Sequence, residues 1–559
     1  MTVDWKRWTP RLFERLARYR ADDLYHDLIA GLTVGLVALP LAMAFGIASG
    51  TTPQAGIYTA IVGGFIVSFL GGSNIQIGGP TGAFVVVVAG IIAQHGMSGL
   101  FMVTMMAGVI LLFLALSGLG MAVKFIPRPI VVGFTNGIAV LIISTQVKDF
   151  LGLEMTEVPS EFIARIAAYV SAIATIDFLT VAFGIVSLAV IIVSPRILRK
   201  VPGQIVALFL ATAVVGLFNL PIETVGTRFG GIPSTLPEWR VPQFRADLIL
   251  PLLPSALTVA ILAAVESLLS AVVADEMSGD RHNSNAELLA QGMANVAVPL
   301  VGGIPVTGAI ARTATNYRSG ARTPVAGIAH AATLLLVVLA LAPLAQFVPM
   351  ATLAAVLFVV AKNMGEWREI PEILKLDFAD VSVWLITFAL TVLADLTMAV
   401  EVGMALAALL YIYRVSETTT VSLVSEDYIE RGRPHILQDK TVPDYVSILR
   451  IHGPFLFGTT DKLAEVTADL SRFKPIVVLR LRNMTAIDAT GLHALETLAE
   501  RLKGSGRILL LCGAPEQPSA MLHRAEFVEH IGEDNILPHV GAALERAALL
   551  RRNPARQSA

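Results

Sequence analysis

Cysteine is nearly missing from this 559-residue chain: Cys512 stands alone. That excludes an intramolecular disulfide and a cysteine-based metal cluster, and it reads as a buried thiol in a reducing compartment. Charge is scarce as well, at 15% of residues with a formal balance of −2, so nothing in the composition argues for a nucleic-acid partner. No nucleophile and base stand out as a pair and no metal-ligand spacing occurs, so neither an enzyme nor a cofactor is expected. A cleavable signal peptide is also lacking. Residues 1–26 instead set Arg11, Arg15 and Arg18 at helical spacing among Leu12, Phe13 and Leu16, the pattern of an amphipathic helix on a membrane surface. The remainder is apolar: 55% hydrophobic residues and a mean hydropathy of +0.70 exclude a soluble globular protein and identify a polytopic α-helical membrane protein.

Within the apolar chain, Leu300 to Asn316 (LVGGIPVTGAIARTATN) is a polar, glycine-broken passage. A continuous membrane helix would not carry Gly302, Gly303 and Pro305 ahead of Thr307 and Gly308, so a helix is expected to start here, part-way through the membrane. Thr307 is expected to cap it. Arg312 falls about one turn in and leans back towards the helix start, so partial and full positive charge converge on a spot suited to an anion. An earlier stretch, Gly78-Gly79-Pro80-Thr81-Gly82-Ala83, repeats the arrangement, and its Thr-Gly-Ala lies 226 residues before that of Thr307 to Ala309. Leu32-Thr33-Val34 and Leu257-Thr258-Val259 match at an offset of 225. Two matches at nearly one offset, both tied to a broken helix, indicate a duplicated half, and interrupted segments in matching halves point to a binding site at the bilayer midplane.

Hydropathy places about fourteen spans between residues 27 and 415, the third and tenth of them short. The two repeats, about 27–220 and 250–415, contain seven spans each. An odd number of crossings inverts one against the other, so the two broken-helix N-termini are expected head to head. Lys124, Arg128, Arg196, Arg199, Lys200, Arg318 and Arg322 fall on one side, which is therefore the cytoplasm; both termini belong there, in an inner (plasma) membrane, and the loop Asn219 to Asp247 lies outside. After a charged linker, 416–443, the pattern turns to soluble α/β over 444–550, with strands at 446–452, 476–481 and 508–512, followed by a tail at 551–559.

These residues resemble the sulfate permease (SulP) anion transporter family, whose members join a fourteen-span domain to a cytoplasmic STAS domain. The resemblance rests on Asp27 to Ala44, Gly79 to Val85, Ala264 to Asp275, Asn285 to Asn295, Leu300 to Asn316 and, in the C-terminal part, Ile487 to Leu492. It implies a core of spans one to four and eight to eleven moving against a gate formed by the others, an anion between the third and tenth helix N-termini, and a homodimer. By position it implies substrate-site roles for Leu41, Phe45, Thr81, Gly82, Gly308, Ala309 and Arg312, with Ala83 and Thr307 completing the repeated motif, and coupling roles for Glu266 and Ser270. Two departures are instructive. Sodium-coupled bicarbonate carriers of the family look similar around Glu266 but have a shorter acid there and a threonine where this chain has Ile310. In STAS domains of the anti-sigma-antagonist type a phosphorylated serine follows the loop aspartate; here Ala489 follows Asp488, although Thr490 remains.

Glu266 is the one carboxylate in the apolar run Leu253 to Ala274, and such an acid is costly unless it titrates or pairs. A structural pair is the plain alternative; a proton-coupling site is the functional one. Arg312 is read as setting the field for the anion rather than as a snorkelling loop arginine. His282 is expected to be solvated, Lys148 and Asp149 to sit at the membrane interface, and Asp395 and Glu401 to be structural. The expected activity is proton-coupled symport of sulfate or another small oxyanion or carboxylate, such as bicarbonate or a C4-dicarboxylate. Sodium-coupled bicarbonate transport, an uncoupled channel-like anion conductor, and a membrane sensor signalling to a cytoplasmic partner through the STAS domain are the alternatives.

Overall fold

The computed structural model describes residues 8–118, 127–155, 158–159, 161–198, 201–232, 234, 239, 241–242, 245–394, 396–423 and 442–552. Lys124, Arg199, Lys200 and Asp395, most of the linker and nearly all of the tail lie outside them. The chain forms two compact units, Met1–Ala407 and Ala408–Ala559.

In the first unit, helical segments stand where the fourteen spans are expected. They are α1 (Ala21–Ala48), α2 (Pro53–Leu70), α3 (Gly82–Leu116), α4 (Arg128–Leu151), α5 (Phe178–Ile197), α6 (Gly203–Phe218), α7 (Ile249–Ser278), α8 (Ser284–Ala297), α9 (Ile310–Arg318), α10 (Val325–Ala345), α11 (Met350–Met364), α12 (Phe378–Leu393) and the first part of α13 (Leu396–Thr418), which continues into the second unit from Ala408. Gly96, at φ 66°, breaks α3 and makes two spans of it, since a side chain there would be strained. Among the described residues seven helices are long and apolar enough to cross a bilayer, whereas α9 has only nine residues. Burial sorts them by position: the apolar windows of α1 and α4 are 67% buried and that of α5 only 28%, so α5 presents most of its surface outwards. A further helix, Phe162–Ala172, was not expected from hydropathy.

Close packing of α1 on α10 depends on residues without bulk. A Cβ on Gly31 would meet Ala326 O at 2.5 Å, as small-residue packing between membrane helices requires. The same helices are tied by Asp27, fully buried, whose carboxylate accepts from Arg322 N (2.8 Å), Thr323 N (3.1 Å), Thr323 Oγ1 (2.5 Å) and Tyr19 Oη (3.1 Å). A buried carboxylate is tolerable because four donors replace its water. Between α2 and α3, and again ahead of α9, the chain runs extended. Gly78–Gly79 (β1) and Thr307–Gly308 (β2) pair antiparallel, Gly78 opposite Gly308 and Gly79 opposite Thr307. Oppositely directed repeats meet in this pairing.

In the second unit a five-stranded sheet has the order β3-β4-β5-β6-β7: Thr420–Leu423, Val446–Phe455, Ile476–Ile487, Ile508–Cys512 and Ile536–Leu537. The last four strands are parallel and β3 joins the edge antiparallel. Strand β5 alternates between two apolar layers, Val477 and Leu479 facing one and Val478 the other, which explains its unbroken apolar run. Asp488 caps the next helix, Ala489–Gly504, through Gly491 N (2.8 Å) and also accepts from Phe457 N (3.0 Å). The linker expectation is corrected at residues 420–423, which are a strand of this sheet.

One further expectation changes. His282 is held rather than solvated: its Nδ1 meets Asp275 at 2.6 Å and its Nε2 meets Ser284 Oγ at 3.0 Å. Asp149, at the end of α4, is buried and paired with Arg228 at 2.6 Å.

Asp27→Ala is expected to cost about 3 kcal/mol and to lower the thermal unfolding midpoint of the purified protein, because the donors of Arg322 and Thr323 lose their acceptor. An unchanged midpoint would show that this clamp contributes nothing.

Candidate functional site

Three side chains hold the extended passage before β2. Asn295 accepts from Val306 N (2.9 Å) and donates to Val306 O (2.9 Å), replacing a neighbouring strand, and Thr59 Oγ1 accepts from Ile304 N (2.7 Å). Ser267 Oγ accepts from Gly308 N (2.9 Å). Backbone that leaves helical pairing inside a membrane protein is thus satisfied by protein groups, as burial demands. Ala309 N then donates to Ile77 O (2.9 Å) and α9 begins, while α3 begins just after Thr81. The first N–H groups of both helices are left without intrahelical acceptors, and the helix dipoles add.

A cavity of about 500 Å³ lies at these two helix starts. Leu41, Phe45, Thr81, Gly82, Glu266, Gly308, Ala309 and Arg312 all line it. Three other expected site residues do not. Ala83 is buried within α3. Thr307 is fully buried in β2 and does not cap α9: its hydroxyl donates to Ala263 O (3.0 Å) and meets Ser267 Oγ (3.0 Å), because the strand pairing turns it away from the helix start. Ser270 is behind the cavity, at 3.2 Å from Thr313 Oγ1. Thr81 holds the N-cap position of α3 without making a cap bond, and donates instead to Glu266 Oε2 at 2.8 Å.

Arg312 is 2% exposed. Its Nη2 donates to Pro80 O, crossing from the second half-helix to the start of the first, and its guanidinium packs on Gly79, where a Cβ would come within 2.5 Å of Nη1. Nη1 itself has no hydrogen-bond partner among the described residues. Glu266 lines the same cavity but forms no ion pair with Arg312 among those described. A buried guanidinium with an unmatched donor, beside two helix N-termini, is a poor arrangement for an empty apolar core and a suitable one for an anion. Among the described residues no cluster of three or more metal-ligating side chains occurs. The Pro80 carbonyl could not be read from side-chain patterns. Glu366, which also lines the cavity, carried no signal beyond being a charged loop residue.

Residues 24–387 match the sulfate permease family and residues 438–543 match the STAS domain. The chain is 41% identical over 531 residues to YvdB of Bacillus subtilis, provisionally named a sulfate transporter, with 95% of this chain and 99% of that one covered. It is 30% identical over 551 residues to the bicarbonate transporter BicA of Synechocystis, covering 94% and 95%. In fold alone it is similar to the murine solute carrier 26 member A9 anion transporter, with a TM-score of 0.87 at 17% identity over 98% of this chain and 95% of that one.

A methyl group on Gly308 would stand 2.0 Å from Gln76 Nε2 and 3.0 Å from Ser267 Cα. Gly308→Ala is therefore expected to cost about 1–3 kcal/mol by overpacking the crossing. Thermal unfolding checks this, and a wild-type midpoint would show that the crossing has slack.

Proposed function

The chain belongs to the sulfate permease family, whose members are transporters and not enzymes, and from that premise we propose that it is a secondary active carrier moving a small oxyanion together with a proton. The observation that carries this reading is the unmatched Nη1 of Arg312, buried at a cavity into which two half-helix N-termini are directed. An anion there would take the free N–H groups near Gly82 and Ala309 and the charge of Arg312, while Phe45 and Leu41 supply an apolar wall that strengthens those interactions. Glu266, bonded to Thr81 at the start of α3, is the proposed proton site, because a proton there removes a negative charge from the space the anion occupies. Ala83, Thr307 and Ser270 then act by holding the crossing.

Sulfate is the favoured substrate; bicarbonate and a C4-dicarboxylate are the other candidates, the first because BicA is named for it. The side chain of Ile310, on the cavity wall, offers no oxygen to a sodium ion, which favours the proton as the coupling ion. Transport would proceed by an elevator-type shift of α1–α3 and α7–α10 against the remaining helices, in a plasma membrane with both termini cytoplasmic and as a homodimer. The C-terminal domain would serve assembly or bind a cytoplasmic protein.

Reconstituted protein is expected to accumulate labelled sulfate under an inward proton gradient and not under a sodium gradient. Arg312→Ala is expected to weaken sulfate uptake about tenfold or more, the scale of losing a charged hydrogen bond. Glu266→Gln should abolish proton-driven accumulation while sparing exchange. Sodium-driven uptake, or gradient-independent conduction in the wild type, would overturn the reading.

A further inference from the structure

The cavity has one acidic group that the proton-coupled reading leaves unused. Glu366 follows the last turn of α11, just past Gly365, and is exposed, yet it lines the same cavity as Arg312 and Glu266. The lining also includes Pro202 and Gln204 at the start of α6 and Asn363 and Met364 at the end of α11. Glu366 therefore stands at the mouth, with buried Arg312 at the inner end. No ion pair to it occurs among the described residues: Arg128, at the start of α4, is taken by Glu369 at 2.7 Å, and Lys362 and Arg368 of its own segment are exposed. Partial burial of the carboxyl and then the Glu369 carboxylate raise its proton affinity, with Arg128 opposing them.

Among the described residues, the ionisable side chains on the cavity lining are Arg312, Glu266 and Glu366. With all three ionised the lining is negative by one unit, and an anion entering is opposed in proportion to its own charge. Resting on the transport reading above, we propose that Glu366 is a charge filter at the mouth of the anion cavity, opposing anions when ionised, doubly charged ones most, and admitting them when it takes a proton. Lowering the pH on that side then speeds passage through the mouth. The effect is few-fold because solvent and salt screen an exposed charge.

The test is exchange of labelled sulfate by full-length protein in liposomes, at equal pH on both faces so that no gradient drives it. Glu366→Gln should exchange sulfate roughly threefold faster than wild type at mildly alkaline pH and show a flatter pH profile, and its sulfate-to-bicarbonate ratio should rise. Glu366→Asp should restore the wild-type profile, which a merely structural role would not predict. A Gln variant with wild-type profile and ratio, in a carrier that exchanges sulfate, would overturn the filter and leave the transport reading standing. A wild-type protein exchanging neither anion would reject the transport reading itself, and the filter with it.

Discussion

Two residues on each of two short strands hold the membrane unit in register. Gly78 and Gly79 pair with Gly308 and Thr307 in antiparallel fashion, and everything at the candidate site follows from that contact. Antiparallel pairing is what inverted repeats produce when their broken helices meet, and it fixes the starts of α3 and α9 at one place. It also consumes the backbone groups that a broken helix would leave exposed to a medium without water. The supporting side chains, Asn295, Thr59 and Ser267, are all hydrogen-bonded to main chain at or beside the crossing. Bulk is excluded there for the same reason: Gly79 leaves room for the Arg312 guanidinium and Gly308 for the Gln76 amide.

Charge placement follows from the same geometry. Arg312 leaves one half-helix and bonds the carbonyl preceding the other, so a single cation serves both helix starts. Burying it costs free energy that protein acceptors only partly return, since one nitrogen stays unmatched. In the proposed function the anion makes good that deficit, and protonation of Glu266 adjusts the balance between loaded and unloaded states. Membership in the sulfate permease family agrees with this logic, but the site residues enter it through their positions in this chain.

The sequence was legible where a residue type has one physical use. Glycine and proline inside apolar runs marked the two broken helices, and the lone arginine and lone carboxylate near them marked the polar lining of the cavity. The fold of the C-terminal unit was legible from strand and helix periods. Roles that depend on which way a side chain turns were not. Thr307 reads as a cap, yet strand pairing sends its hydroxyl to Ala263. Ser270 shares a helix with Glu266, but its hydroxyl meets Thr313 behind the cavity. His282, between charged residues, looks solvated and is instead clamped by Asp275. Strand β3 is short, and its place in the sheet comes from pairing with β4 and not from its own propensity. Leu41 and Phe45 were distinguishable from packing residues only through the family resemblance.

The most direct test of the central claim is to locate a heavy oxyanion in the protein. Crystals or frozen particles prepared with selenate, an isostere of sulfate, would be examined for the position of the selenium. One site is expected in the cavity, within hydrogen-bonding distance of Arg312 Nη1 and of backbone N–H groups at the starts of α3 and α9, and it should be lost in Arg312→Ala. A selenium bound elsewhere in the membrane unit, or one retained in that variant, would contradict it.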